Sequence, residues 1–260
     1  ILGMVRSRDA PVFGADVSLQ KARSAAFFSA ADAGDFIRAL AEPTVLLNPD
    51  LTLRRTIDLR SSASAFEAFL GRAALDGSIA FSARAIGNLA RPFYPDGILS
   101  AAPGPLSAPR GQWSPFATGF QLDLVLNGIV QHVAHTAGLP GFANDTPDNC
   151  AGVALGSGAS TVASRQLANG LQIFPGGVPV YRGDRLGGAV GVSGDGIDQD
   201  DMIAFLSVQR ASARSGSSLG NAPPARRADQ LAPQGARLRY VQCPYAPFLG
   251  SNAQNVCAGL

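Results

Sequence analysis

The chain has 260 residues, 46% of them hydrophobic and 15% charged, enough apolar material to bury a core in one large domain or two small ones. Its formal charge of +2, with basic residues scattered apart from Arg54-Arg55 and Arg226-Arg227, excludes the electrostatic footprint of a nucleic-acid binder or of a protein drawn to an anionic membrane. No apolar run approaches the roughly 18–20 residues that cross a bilayer, which excludes a transmembrane helix.

In chain order, Ile1-Leu-Gly-Met-Val-Arg6 reads as a strand and not as a signal peptide. It has no initiator methionine and no preceding element to pair with, so residues upstream of Ile1 are expected. Asp16 to Ala30 places Val17, Leu19, Ala22, Ala25, Ala26 and Phe28 around Lys21 and Arg23, the pattern of a small-residue amphipathic helix able to lie close on a sheet. A second short helix, Asp32 to Ala41, ends before Pro43. From Thr44 to about Arg165 prolines at 49, 92, 95, 103, 105, 109 and 115 break the pattern, and only Ser64–Ala74 and Gly119–Ala137 read as helices. A stretch this long and irregular is expected to be an elaborated insertion serving as an interface or lid. Its aromatics Phe93, Tyr94, Trp113 and Phe116 suit a flat apolar ligand, a neighbouring subunit or the insertion's own core.

The most specific passage is Phe174 to Asp201. Val178–Arg182 and Arg185–Val192 are strand-like runs joined by Gly183-Asp184, and a two-residue loop with glycine first suits a II′ hairpin turn. The period of two places Leu186, Gly188, Val190 and Val192 on one face and Gly187, Ala189 and Gly191 on the other, a face nearly without side chains. Either a helix packs there closely or a flat ligand does. After Gly194-Asp-Gly196 the period changes: Met202, Ile203, Phe205 and Leu206 make a helical stripe. Asp198 is placed to cap the helix, and Asp200 and Asp201 sit near its positive end. The alternative is a cation site of Asp195, Asp198, Asp200 and Asp201, although their spacing does not match the calcium-loop pattern. Beyond it, Ala213–Gln234 reads as a linker and Arg237–Gln242 as a final strand or extended arm.

Of the three cysteines, Cys243 and Cys257 bracket a Pro-rich terminal segment and are expected to close a disulfide. That pairing implies an oxidising compartment, periplasmic or secreted. Cys150 is left as a buried thiol or the partner of a cysteine upstream. The cysteine spacing fits neither C-x-x-C metal or redox motifs nor the C-x-x-C-H attachment of covalent haem. His132 and His135, the two histidines of the chain, stand three residues apart on the 119–137 helix. Together they can bind one metal, or one of them haem iron; the competing reading makes His132 part of the apolar stripe and His135 a cation at a helix end. Ser193 in Gly-Val-Ser-Gly does not meet the nucleophile-elbow pattern, and no glycine-rich segment fits a nucleotide loop. Lys21, the single lysine, reads as salt-bridged or snorkelling rather than as a reactive amine.

Lys21-Ala-Arg-Ser-Ala-Ala26, Pro175-Gly-Gly-Val-Pro179, Gly188-Ala-Val-Gly-Val-Ser-Gly194 and Asp198-Gln-Asp-Asp201 together resemble the GlcG/HbpS-like family of bacterial haem-binding proteins, also described as haem-degrading domain proteins. The resemblance covers about a third of the chain. It implies an α+β fold of profilin-like α/β/α layers around a roughly five-stranded antiparallel sheet, assembled into symmetric oligomers. It also implies that the family's opening helix and first strand precede Ile1. On this reading residues 1–43 and 166–212 form the family domain. Residues 44–165 are the proline-rich insertion, and 213–260 are the linker and disulfide-closed tail. The family's iron ligands follow no motif that carries over.

These readings converge on an extracytoplasmic protein that binds haem or another tetrapyrrole non-covalently. The expected site is the glycine face with Phe174, Pro175, Gly176, Gly177 and Ser193, and His132 or His135 is the candidate iron ligand. The alternative is a non-catalytic accessory subunit, in a homo-oligomer or larger complex, that uses the insertion as its interface. An enzyme is disfavoured, because no set of acid, base and nucleophile can be assembled from the sequence.

Overall fold

A computed structural model describes residues 1–39, 44–47, 53–57, 60–107, 130–145 and 171–260, the two short segments as backbone only. The elements in order are α1 (Gly14–Phe28), α2 (Ala33–Arg38), β1 (Thr44–Leu47), β2 (Leu53–Ile57), α3 (Arg60–Leu70) and α4 (Ala83–Leu89). They continue with a helical turn over 130–136 (α5), then β3 (Gly177–Arg182), β4 (Arg185–Gly191), α6 (Ile197–Ser215) and β5 (Leu219–Asn221).

β3 is the centre of an antiparallel sheet in the order β4-β3-β5, with α1 packed on one face of the β3–β4 hairpin and α6 against the other. The mixed class is therefore as expected, but the sheet has three strands among the described residues and not five. Ile1–Arg6 is not a strand: the segment is exposed coil, with Leu2 and Val5 open to solvent. An apolar, β-branched run needs a partner strand to stay extended, and no described strand offers one. The region read as irregular also contains α4 and the separate β1–β2 hairpin, whose pairing runs from Thr44–Ile57 to Leu47–Leu53. Residues 213–234, read as a linker, finish α6, contribute β5 and turn through three short 3-10 segments. The arm Arg237–Gln242 forms no ladder; it is held by burial of Leu238 and Tyr240.

The β3–β4 turn is the expected hairpin, with positive φ at Gly183 (+57°) and not at Asp184. Its register shifts between Val180–Gly188 and Tyr181–Leu186, so Gly187 is an extra residue, a β-bulge. The bulge overturns the expected face of Leu186. It leaves Val190 and Val192 on the side of Val178, Ala204 and Val208, and carries Leu186 across to the main core with Tyr181.

That main core holds Phe28, Phe66 and Phe81, with Phe28 stacked on Phe66 (centroids 6.0 Å apart) and Phe81 edge-on to Phe66 (5.4 Å). Helix α4 is capped by Ser82, whose Oγ accepts from the Ala85 N–H at 3.1 Å. A Cβ on Gly87 would lie 2.2 Å from the Ile173 carbonyl oxygen, so α4 presses against the strap that leads into β3.

Candidate functional site

The residues that carry the family resemblance meet at one place, where α1, the 174–177 loop and the start of α6 converge. Lys21 is buried, and its Nζ donates to the Val192 carbonyl at 2.9 Å and to Asp200 Oδ2 at 2.8 Å. Asp201, fully buried, accepts from the Gly176 N–H at 2.6 Å, from the Gln242 N–H at 3.0 Å and from Arg84 Nε. Arg84 also donates through Nη2 to Asp198, and Gln242 donates to the other oxygen of Asp198 at 3.0 Å. Each buried charge has an opposite charge and further hydrogen bonds, as burial requires. Burial holds the Lys21 ammonium below its usual pKa against the pull of Asp200. Burial likewise pushes the Asp200 carboxyl up, opposed by Lys21, and the Asp201 carboxyl up, opposed by Arg84.

This arrangement corrects the expectation for the acidic run. The N-cap of α6 is Gly196 and no side chain caps the helix; Asp198 instead reaches Arg84. A cation on α4 is a stronger partner than the helix's own N–H groups, because it answers a full charge. Asp200 and Asp201 are likewise turned to Lys21 and Arg84, and Asp195 is exposed. Among the described residues, no group of three or more His, Cys, Asp or Glu is placed to hold a metal ion.

The glycine face is also decided. Ideal Cβ atoms on Gly191 and Gly177 would lie 1.9 Å from the Ser18 carbonyl oxygen and 2.3 Å from the Lys21 carbonyl oxygen. Helix α1 therefore occupies the space that a flat ligand would need. Gly176, at φ +113°, hands its N–H to Asp201 and accepts from the Val192 N–H at 2.8 Å. Gly176 and Gly177 are thus part of the packing, Phe174 and Ser193 are half-buried, and Pro175 lines a cavity together with Arg84.

The histidines lie elsewhere, on α5. His132 Nδ1 is 2.9 Å from Asp145 Oδ1, and the edge of Phe13, at the start of α1, meets its ring with centroids 5.8 Å apart. His135 Nδ1 is 3.0 Å from the Phe142 carbonyl oxygen. A carbonyl and a carboxylate oxygen accept, so each Nδ1 donates, and in the neutral imidazole the lone pair then lies on Nε2. Around them Val130, Val133 and Leu139 are 50%, 57% and 52% exposed. The loop 174–177 supplies no partner to either histidine. Of the expected helix 119–137, residues 130–137 fall within the described residues, with 130–136 helical, and Trp113, Phe116 and Cys150 fall outside them.

Two participants had no signal in the sequence. Arg84 lies in a helix without a recognisable motif, and Asp145 follows a glycine- and proline-bearing turn at no characteristic distance from His132. Cys243 and Cys257 form the expected disulfide, with Cα atoms 6.3 Å apart, and no helix among the described residues is long and apolar enough to cross a membrane.

No curated protein and no solved structure matches the chain. A family match does exist, and it begins within the segment read as an insertion, taking in α5 and its two histidines as well as the hairpin and most of α6. Over residues 127–209, about a third of the chain, the sequence matches the model of the haem degrading protein HbpS-like family.

Proposed function

We propose that this protein binds haem non-covalently outside the cytoplasm, with Nε2 of His132 as the iron ligand. The observation that carries the reading is the His132–Asp145 pair. A ligating histidine characteristically donates its second ring nitrogen to a carboxylate, which fixes the tautomer and raises the basicity of the free nitrogen. His132 has that arrangement within the stretch that matches a haem-related family. The exposed Val130, Val133 and Leu139 supply apolar surface beside it for a macrocycle. His135, held by the Phe142 carbonyl, is the second candidate on the same helical turn. Bound haem supplies a redox-active iron and a visible chromophore; the chain's part is to orient His132 and to shield one edge of the site with Phe13. The disulfide supports the extracytoplasmic placement.

Haemin titration followed by absorbance tests the assignment. A saturable Soret band is expected, weakened or shifted in His132→Ala and shifted less in His135→Ala. No Soret change with the intact chain, or an identical band in both variants, overturns it. The same apolar patch supports a second reading, an accessory subunit in a homo-oligomer or larger complex. Native material found in a large assembly without a chromophore would select that reading.

A further inference from the structure

Arg84 also lines a cavity of about 280 Å³, together with Asn88, Arg91, Asp96, Ile173, Pro175 and Arg239 and with Gly87 and Gly97. The size is near the lower end for small-molecule sites, about 300 Å³. Its polar groups are strongly biased towards donation. Asn88 uses its side-chain oxygen to accept the Arg239 N–H at 3.2 Å, so its amide nitrogen is the end left to donate. Arg239 is exposed, and its guanidinium has a neutral neighbour in Gln242. Arg91 Nε is buried and makes no hydrogen bond, because the nearest carboxylate oxygen, on Asp96, is 3.7 Å away. A buried donor left without an acceptor is a cost that a native site accepts where something else completes it.

We propose that this cavity binds a short-chain monocarboxylate, a function separate from haem binding. The donors and the acidic wall select the class. Arg84 is already answered by Asp198 and Asp201, so Arg91, beside Asp96, and the exposed Arg239 are the lining cations left to meet an anion. With Asp96 in the wall, a single negative charge meets less repulsion than a dianion. The planar fork of a guanidinium matches a carboxylate with paired hydrogen bonds. Ile173 and Pro175, both buried, form an apolar wall for a few carbon atoms. Arg91 and Arg239 take the carboxylate oxygens, and the Asn88 amide adds a third donor.

Isothermal titration of the intact chain with acetate, propionate and butyrate tests the proposal, with inorganic phosphate as the competing oxyanion. Saturable one-to-one binding of at least one carboxylate is expected. It should weaken about tenfold or more in Arg239→Gln and in Arg91→Gln, the loss of a charge-assisted hydrogen bond. Arg239 is exposed, so Arg239→Gln is expected to fold with unchanged thermal stability and carries the test should Arg91→Gln fail to fold. Haemin titration of Arg239→Gln should match the parent, which separates this site from His132. The proposal is overturned if no carboxylate binds saturably, if phosphate binds more tightly than all three, or if Arg239→Gln binds as the parent does.

Discussion

Lys21 is the clearest case of a residue whose role is set by its partners. With 3% of each side chain exposed, the Lys21–Asp200 pair is sealed beneath α1, and removing one member strands the other charge in the interior. Lys21→Met is therefore expected to cost about 3–5 kcal/mol in denaturant unfolding. Lys21→Met combined with Asp200→Leu should recover a large part of that loss, because two apolar groups leave no orphaned charge. A double variant no more stable than the single one would show that the pair also fixes the position of α1. Tyr94 gives a residue-scale dependence on pH. Its hydroxyl donates to the Ala236 carbonyl at 2.6 Å, and burial pushes its pKa up from 10.0 to about 12. The folded state then holds this proton where the unfolded chain has lost it, so stability is full below pH 10 and declines as pH rises from 10 to about 12. Tyr181 and Tyr240 are raised by burial as well and add to the decline. Unfolding of Tyr94→Phe measured between pH 9 and 12 should show a shallower loss than the parent.

At the scale of elements, the seat of α1 on the β3–β4 hairpin depends on missing side chains. Gly191→Ala would place a methyl group 1.9 Å from the Ser18 carbonyl, which only a displacement of the helix can relieve. A destabilisation of about 1–3 kcal/mol is expected from such overpacking. Gly14→Ala, at the first residue of the same helix, meets nothing within 4 Å and should be neutral or stabilising by about 0.4–1 kcal/mol. Thermal unfolding of the two variants checks both signs, and similar effects at both positions would refute the close-packing account. The same seat explains why α1 buries Gln20, Lys21 and Ser24 among its small residues. Ser24 Oγ donates to the Gln20 carbonyl at 3.0 Å and accepts the Gln172 N–H at 2.6 Å, so the helix is bonded to the strap before β3 as well as packed on the sheet.

For the whole molecule, the C-terminal segment acts as a clasp. Arg227 donates to the Leu260 carbonyl at 2.7 Å, Cys257 packs against the main core, and the Gln242 N–H reaches Asp201 beside the sheet. The disulfide closes a loop with a sequence separation of 14, for which chain entropy suggests about 3 kcal/mol. Replacing both cysteines by alanine should lower the thermal midpoint without abolishing the fold, since the arm's buried Leu238 and Tyr240 remain. Loss of cooperative unfolding in that variant would mean that the clasp, and not the core, holds the arm in place.

The legible parts were those governed by neighbours in the chain. The Gly183-Asp184 turn, the helix around Lys21, the helix after Gly196 and the Cys243–Cys257 pairing follow from periodicity, turn chemistry and loop length, all local properties. The faces of β4 were not legible, because a bulge at Gly187 depends on how β3 pairs with it and reverses the alternation from that point towards the turn. Nor was the use of the acidic run. Asp198, Asp200 and Asp201 satisfy helix-start chemistry on paper, but Lys21 and Arg84 arrive from far along the chain, and a buried carboxylate is better compensated by a full charge than by a helix end. His132 was visible as a candidate from residue type alone; the carboxylate partner at its Nδ1 came from the approach of Asp145 in three dimensions. Local order is encoded in sequence spacing, whereas charge pairing and tautomer depend on which distant groups the packed chain brings within a few ångströms.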